Sequence, residues 1–157
     1  MPSPTDPAGE PDGFVVLVEP GDRIHFLDWG GEGAPGIVLV HGLAGSGLVW
    51  APVARRLVAR RRVVAMDLRG HGLSDAPTEP DAYELDVLAG DVVAVAEGSG
   101  ALDGGRVVLA GHGFGAIVAA AGAVRLGARC ARLVLVDGGL VEMTGATEMD
   151  VDEFLRG

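Results

Sequence analysis

The sequence contains no lysine, a single cysteine and few aromatic residues. Its 12 basic residues, all arginine, face 22 acidic residues, and the net charge is -10. Non-specific binding of nucleic acid needs clustered positive charge on the protein, so we predict no nucleic-acid partner. The single thiol, Cys130, excludes an intramolecular disulfide framework and is typical of a reducing compartment. It has no acid–base neighbour in sequence, so we expect a buried, unreactive thiol.

Targeting and membrane-spanning segments are also missing from the sequence. No basic region followed by an apolar stretch opens the chain, and no run approaches the roughly 18 apolar residues of a membrane helix. We therefore predict a cytoplasmic protein with no membrane span. The one concentration of positive charge, at positions 55, 56 and 60–62, falls at the end of a predicted helix. The helix dipole favours cations there, and a binding patch is the alternative interpretation.

What the sequence does contain is a globular proportion of apolar residues, 48% of a 157-residue chain. That length suits one domain with a substantial core. Residues 1–12 include four prolines and predict a disordered tail. We assign residues 13–157 to a single domain.

The apolar pattern predicts an antiparallel hairpin followed by a parallel sheet. The hairpin strands, at 14–18 and 23–29, flank turn-forming residues at 19–22. Four later apolar runs have the pattern of strands buried on both faces and are mostly separated by helices, which is typical of the α/β class. The strands are predicted at 37–40, 63–66, 107–110 and 133–136, and the helices at 49–59, 83–97 and 114–126. Residues 138–150 predict a loop, and 151–156 the start of another helix.

Residues 111–115, Gly-His-Gly-Phe-Gly, form the first candidate site. They lie between a predicted strand and a small-residue helix, where the pattern Gly-x-nucleophile-x-Gly forms a tight elbow. Position 113 should carry the attacking side chain, and it carries glycine. The alternative is a generic glycine-rich turn, for instance for a phosphate. A dinucleotide fingerprint would need glycine at Ala116, so we predict no dinucleotide and no other cofactor. We also predict no metal site.

His41 and Gly42 form a second motif, at the end of the first predicted parallel strand. The glycine-rich loop after them is placed to supply one N–H group of an oxyanion hole, at Leu43. The second N–H group would come from Phe114, directly after the nucleophile position. We expect the side chain of His41 to hydrogen-bond this loop, and we predict that His41, Gly42 and His112 lie at the pocket.

The third motif is the segment 67–75, Asp-Leu-Arg-Gly-His-Gly-Leu-Ser-Asp. A metal or phosphate loop is one interpretation of its charges and glycines. We favour an internally hydrogen-bonded loop that holds the rim of the pocket, and His71 as a catalytic base is the minor alternative.

Together these motifs resemble the α/β-hydrolase superfamily, from about residue 14 onward. The resemblance rests on the order of four segments: 39–42, 67–75, 111–115, and 133–137 with its closing Asp137. It implies a mostly parallel sheet with an N-terminal antiparallel hairpin, and we expect the family's last strands and lid to be missing.

The resemblance implies hydrolysis of a small-molecule ester or related acyl compound by nucleophilic attack from position 113. Asp137 is the candidate acid. All four histidines, at positions 25, 41, 71 and 112, precede the last predicted strand, so none matches the family's catalytic base. We therefore expect this chain to be inactive by itself.

Two other functions stay open. The chain could be a binding protein that keeps the pocket and has lost the chemistry. It could also be an interaction half, with a complementary chain or a second copy along the strand edge from Leu133 to Val136. Trp50, Phe114 and Leu140 are candidates for an apolar pocket lining, and equally for the core.

Overall fold

The computed structural model describes residues 9–139, which form a six-stranded mixed sheet flanked by helices. The strands are β1 (Asp12–Val18), β2 (Asp22–Gly30), β3 (Gly36–Val40), β4 (Val63–Met66), β5 (Val107–His112) and β6 (Cys130–Val136). The α-helices are α1 (Ala51–Leu57), α2 (Leu85–Gly98) and α3 (Phe114–Leu126). Short 3₁₀ segments lie at Gly47–Trp50, Pro80–Tyr83 and Gly127–Arg129.

The strand order is β1-β2-β4-β3-β5-β6, and the predicted α/β architecture is confirmed. β1 and β2 form the antiparallel hairpin, and β2 also runs antiparallel to β4. β4, β3, β5 and β6 are parallel to one another. Asp12, the last residue of the predicted tail, already belongs to β1. Residues 1–8, Leu140 and the predicted helix at 151–156 lie outside the described residues.

The helix boundaries differ from the predicted ones at two places. The segment predicted as a helix at 49–59 divides into the 3₁₀ turn Gly47–Trp50 and α1, which ends at Leu57. The segment predicted at 83–97 begins as a helix only at Leu85, because Pro80–Tyr83 forms a separate 3₁₀ turn. Glu84 between the two has an extended backbone, with φ -60° and ψ 146°, so the helix proper starts after it.

The core lies on both faces of the central strands β3 and β4, whose residues are all buried. Successive side chains of a strand point to opposite faces, so each central strand serves two layers. On one face, Val38 and Met66 pack with Val92 of α2 and Val118 of α3. On the other face, Leu39 and its neighbours pack with Trp50 and Ala54 at α1.

β6 corrects the expectation that the run at 133–136 is buried on both faces. Val134 and Val136 are about two-fifths exposed, at 40% and 42%. Within residues 9–139, β6 is the end strand of the sheet, and α3 packs against it. The other side borders an open groove of about 720 Å³ between α1 and β6, which we call the α1 groove. Its lining includes Ile37, Leu39, Trp50, Val53, Val108, Val134 and Val136, with arginines at 61, 106 and 132.

Candidate active site

Gly113 lies at the elbow between the end of β5 and the start of α3. Its backbone has φ 56° and ψ -123°, a conformation that residues with a side chain rarely adopt. A Cβ atom built on Gly113 would meet no heavy atom within 4 Å. The elbow therefore has the backbone and the room for a nucleophile, but no side chain to act as one.

The flanking glycines are required by close contacts between backbones. A Cβ on Gly111 would overlap the carbonyl of Gly115. A Cβ on Gly115 would overlap the carbonyls of Val40 and His41 at the end of β3. Because glycine occupies both positions, the elbow can pack directly against the end of β3, as the predicted motif needs.

A cleft of about 350 Å³ opens beside the elbow, and most of the predicted site residues line it. Phe114 is the first residue of α3, so its N–H group has no acceptor within the helix. The start of a helix also carries a partial positive charge, which favours an oxyanion. The lining residues are Gly42, Leu43, Ala44, Gly45, Val49, His112, Gly113 and Phe114.

His41 does not line this cleft, which corrects its predicted place at the pocket. Its side chain is fully buried, and Nε2 accepts the N–H of Leu68 at 3.0 Å. Nδ1 therefore carries the proton and donates to the carbonyl oxygen of Gly42 at 2.6 Å. Burial lowers the pKa of His41, so that the imidazole stays neutral. Its expected role in bonding the loop is confirmed.

His71 makes the reciprocal connection between the same two loops. We call residues 41–47 the β3 loop and residues 67–75 the β4 loop. Nε2 of His71 accepts the N–H of Ala44 at 3.2 Å, and Nδ1 donates to the carbonyl of Arg69 at 3.2 Å. The rings of His71 and His41 lie 5.1 Å apart. Both ring nitrogens of His71 are thus engaged with the backbone, which argues against its use as a catalytic base.

The buried carboxylate of Asp67 joins the β4 loop to its surroundings. Oδ1 accepts the N–H of Gly47 at 2.7 Å, and Oδ2 accepts the N–H of Leu73 at 3.0 Å. Oδ2 also pairs with Nδ1 of His25 at 2.8 Å. The expected internal hydrogen bonding of this loop is therefore confirmed. The partnership with His25 on β2 was missed, because no local pattern links residues 42 positions apart.

A second polar contact that sequence reasoning missed joins the β4 loop to α2. The guanidinium of Arg69 makes two hydrogen bonds to the carboxylate of Asp91, at 2.7 and 2.8 Å, and both side chains are only 2% exposed. Burial raises the pKa of Asp91, and the hydrogen bonds from Arg69 oppose that rise. An acid among the apolar residues of α2 was the available sequence signal.

Asp137, the candidate acid, directly follows β6 beside the elbow. The N–H of Gly113 donates to the carbonyl of Val136 at 3.0 Å, which brings the end of β6 to the nucleophile position. Asp137 is exposed, and it has a positive φ of 49°. None of the four histidines hydrogen-bonds its carboxylate within the described residues.

The structure also places three further residues named in the sequence analysis. Trp50 lines the α1 groove and not the cleft, while Phe114 lies at the cleft as proposed. Cys130 is only partly buried, although burial raises the pKa of its thiol.

Two properties of residues 9–139 concern membrane insertion and metal binding. No helix in this stretch combines the length and the apolar character needed to cross a membrane. In the same part of the chain, His, Cys, Asp and Glu side chains do not gather in threes as a metal site requires.

A family profile described as the alpha/beta hydrolase fold matches residues 35–157. The chain is 35% identical to epoxide hydrolase 4 of Mus musculus over 106 residues. The aligned region covers 68% of this chain and 29% of the mouse protein. An epoxide hydrolase from Vigna radiata has a similar structure, with a TM-score of 0.71 and 31% identity over 80% of this chain and 39% of its own. An N-formylmaleamic acid deformylase from Pseudomonas putida gives a TM-score of 0.67 and 33% identity, over 79% and 46%.

The chain spans less than a third of the mouse relative's length and less than half of either solved structure. The family match nevertheless includes the β3 loop, the β4 loop and the elbow, which the structure brings to one edge of the sheet. The chain belongs to the α/β-hydrolase family.

Proposed function

We propose that this chain carries the binding half of a hydrolase site for small esters or related acyl compounds, and that it holds such ligands without turning them over. The observation that carries the proposal is Gly113. Its backbone has the elbow conformation, and its Cβ position is open. The place of attack is thus present while the attacking atom is absent.

In the ancestral reaction a side chain at position 113 would attack the carbonyl carbon of the ligand. The N–H groups of Leu43 and Phe114, at the same cleft, would stabilise the negative charge on the carbonyl oxygen. Position 113 now contributes only backbone, so no covalent bond can form there. The imidazoles of His41 and His71 are engaged in bonds to backbone groups. His112 lines the cleft but precedes β6, so it does not match the position of the family's base.

Epoxides are the second ligand class, and the names of the relatives favour them. Epoxide hydrolases occur both among the curated relatives and among the similar solved structures. An epoxide oxygen also gains negative charge when a nucleophile opens the ring, so the same two N–H groups would suit either ligand. A serine at position 113 would indicate ester chemistry and an aspartate epoxide chemistry, but the glycine found there indicates neither.

The test places a thiol at position 113, because a thiolate attacks activated esters without a neighbouring base. In Gly113→Cys treated with p-nitrophenyl acetate, sulfur attacks the carbonyl carbon, p-nitrophenolate leaves, and the acetyl group stays on sulfur as a thioester. The matched control is Gly127→Cys, because Gly127 has φ 56° and ψ -124° with an equally open Cβ position. The natural thiol of Cys130 serves as an internal standard, since it lies on a different tryptic peptide.

We expect Gly113→Cys to acylate at least about tenfold faster than Gly127→Cys, because oxyanion donors and the start of α3 assist only the elbow. The unchanged chain should gain no mass on its tryptic peptide 107–125, which holds the elbow. The absence of lysine keeps the background acylation low. Equal rates at the two positions, or an adduct on the unchanged peptide, would refute the proposal.

We propose in addition that β6 provides an interaction edge for a complementary chain or a second copy. The supporting observations are its end position in the sheet and the exposed Val134 and Val136 beside the α1 groove. An exposed apolar edge strand offers free N–H and C=O groups to a partner strand. A sedimentation test is described in the Discussion.

A further inference from the structure

Two histidines connect the β3 loop and the β4 loop, and each accepts an N–H group from the other loop. His41 of the β3 loop accepts the N–H of Leu68 in the β4 loop. His71 of the β4 loop accepts the N–H of Ala44 in the β3 loop. Both rings use Nε2 as the acceptor and anchor Nδ1–H on a carbonyl of their own loop. Neither bond follows from the sequence neighbourhood, since each spans 27 residues.

The bond to Ala44 adds a contact from outside the β3 loop to a tight turn, in which the N–H of Gly45 donates to the carbonyl of Gly42 at 3.2 Å. Ala44 has φ 59°, a strained conformation for a residue with a side chain, so surrounding contacts must hold it. The side chain of its neighbour Leu43 is 68% exposed and therefore offers little packing to fix the backbone. The peptide that joins Leu43 to Ala44 carries the N–H that His71 accepts.

We propose that His71 is a positioning residue: through Ala44 it sets the orientation of the Leu43 N–H toward the space above Gly113. Leu43, Ala44 and Gly113 line the same cleft. The Leu43 N–H lies on the preceding peptide, between Gly42 and Leu43, so a rotation of the Leu43–Ala44 peptide reaches it through the shared Cα atom of Leu43 and changes its direction toward an oxyanion. The inference rests on the proposed function, because it assigns the Leu43 N–H to the developing negative charge. His71 itself does not line the cleft and takes no part in bond formation.

Two substitutions separate the hydrogen bond from the bulk of the ring. His71→Leu keeps an apolar side chain and loses the acceptor. His71→Gln places an amide oxygen near the position of Nε2 and restores an acceptor. The first readout is hydrogen exchange and the amide chemical shift of Ala44 and Leu43 in ¹⁵N-labelled protein. The amide of Gly47 is the internal control, because it belongs to the same loop but donates to Asp67.

We expect His71→Leu to speed exchange at Ala44 by at least about tenfold with little change at Gly47, and His71→Gln to restore most of the protection. Unchanged exchange at Ala44 would overturn the inference. Equal acceleration at Gly47 would also overturn it, because the loop would then have loosened as a whole.

The second readout is the acylation rate in the Gly113→Cys background. Adding His71→Leu should slow acylation by p-nitrophenyl acetate about tenfold, and adding His71→Gln should cost less than about threefold. If Gly113→Cys shows no advantage over Gly127→Cys, the proposed function fails, while the amide measurements still decide the bond to Ala44. If Gly113→Cys is fast and His71→Leu leaves its rate unchanged, the positioning role is wrong and the proposed function stands.

Discussion

Gly113 and Gly127 have the same backbone conformation at opposite ends of α3. Their φ angles are both 56°, and their ψ angles are -123° and -124°. A Cβ atom at either position would meet no heavy atom within 4 Å. The two sites therefore impose the same backbone strain on a new side chain, but only Gly113 lies at the cleft. Comparing substitutions at these two positions therefore separates the destabilisation caused by the strained backbone from any effect of the cleft on reactivity.

Gly113→Ser and Gly127→Ser should each destabilise the fold by about 1–3 kcal/mol, because serine tolerates this backbone poorly. Each kcal/mol corresponds to a fall in melting temperature of about 2–4 °C for a chain of this size. Thermal unfolding followed by circular dichroism measures both variants beside the unchanged chain. A Gly113→Ser variant as stable as the unchanged chain would contradict the strain argument.

Gly113→Ser alone should not restore steady hydrolysis of p-nitrophenyl acetate. A serine hydroxyl needs a neighbouring base, and His41 and His71 already use both ring nitrogens in bonds within the loops. His112 lines the cleft but precedes β6, so it does not match the position of the family's base. Release of p-nitrophenolate should match that of Gly127→Ser. Sustained turnover above this control would show that another group of the chain acts as the base.

Breaking the buried pair of Arg69 and Asp91 should be strongly destabilising. Asp91→Ala removes both short hydrogen bonds to the buried guanidinium and leaves it the carbonyl of Ala82 and a longer contact to Asp22, at 3.4 Å, so we expect a cost of up to about 3–5 kcal/mol. Replacing both residues, as Arg69→Met with Asp91→Leu, should cost less than either single change to alanine. The comparison pair is Arg125 and Asp86, whose side chains are 43% and 79% exposed.

Urea unfolding measures the free energy of each of these variants. Arg125→Ala should change the free energy of unfolding by less than about 1 kcal/mol, because water screens an exposed pair. Similar costs for Asp91→Ala and Arg125→Ala would show that burial does not set the strength of the Arg69 contact.

Stability should fall as the pH drops below the ordinary pKa of histidine. Burial lowers the folded-state pKa of His41 below 6.5, while His71 lowers it further and Asp67 opposes the shift. Below 6.5 the unfolded chain binds a proton at this position that the folded chain excludes. This contribution is therefore fully present above 6.5 and is lost as the pH falls toward the folded-state pKa.

The measurement is the free energy of unfolding in urea at about pH 7.5 and about pH 5.5, on either side of the ordinary histidine pKa. His41→Gln keeps an acceptor for Leu68 without a titratable ring, so its stability should depend less on pH. An equal pH dependence in the unchanged chain and in His41→Gln would assign the effect to other groups.

The chain should self-associate through β6. Val134→Lys places a charge on the exposed side of the edge strand and should shift the protein toward monomer in sedimentation velocity. Val124→Lys is the control, because Val124 is 82% exposed on α3 and does not line the α1 groove. A clean monomer of the unchanged chain with cooperative unfolding would refute the association.

Local patterns in the sequence were enough to predict the elements and their order. Apolar periodicity located the hairpin and the parallel strands, and the glycines at 111 and 115 identified the elbow. These are local properties, because side-chain period and backbone freedom depend on a few consecutive residues. The same signals placed Leu43, Gly113 and Phe114 at one cleft, since loops after neighbouring parallel strands open at the same edge of the sheet.

The tertiary structure alone decided which polar groups became partners. Two polar contacts join positions far apart in the chain: His25 with Asp67, and Arg69 with Asp91. No spacing in the sequence predicts either contact. It also decided that Val134 stays exposed, because exposure depends on whether a helix covers that side of β6. Which side chains become partners, and which strand faces are covered, depends on how whole helices and strands pack together. A local pattern that identifies one element therefore cannot predict what that element will contact.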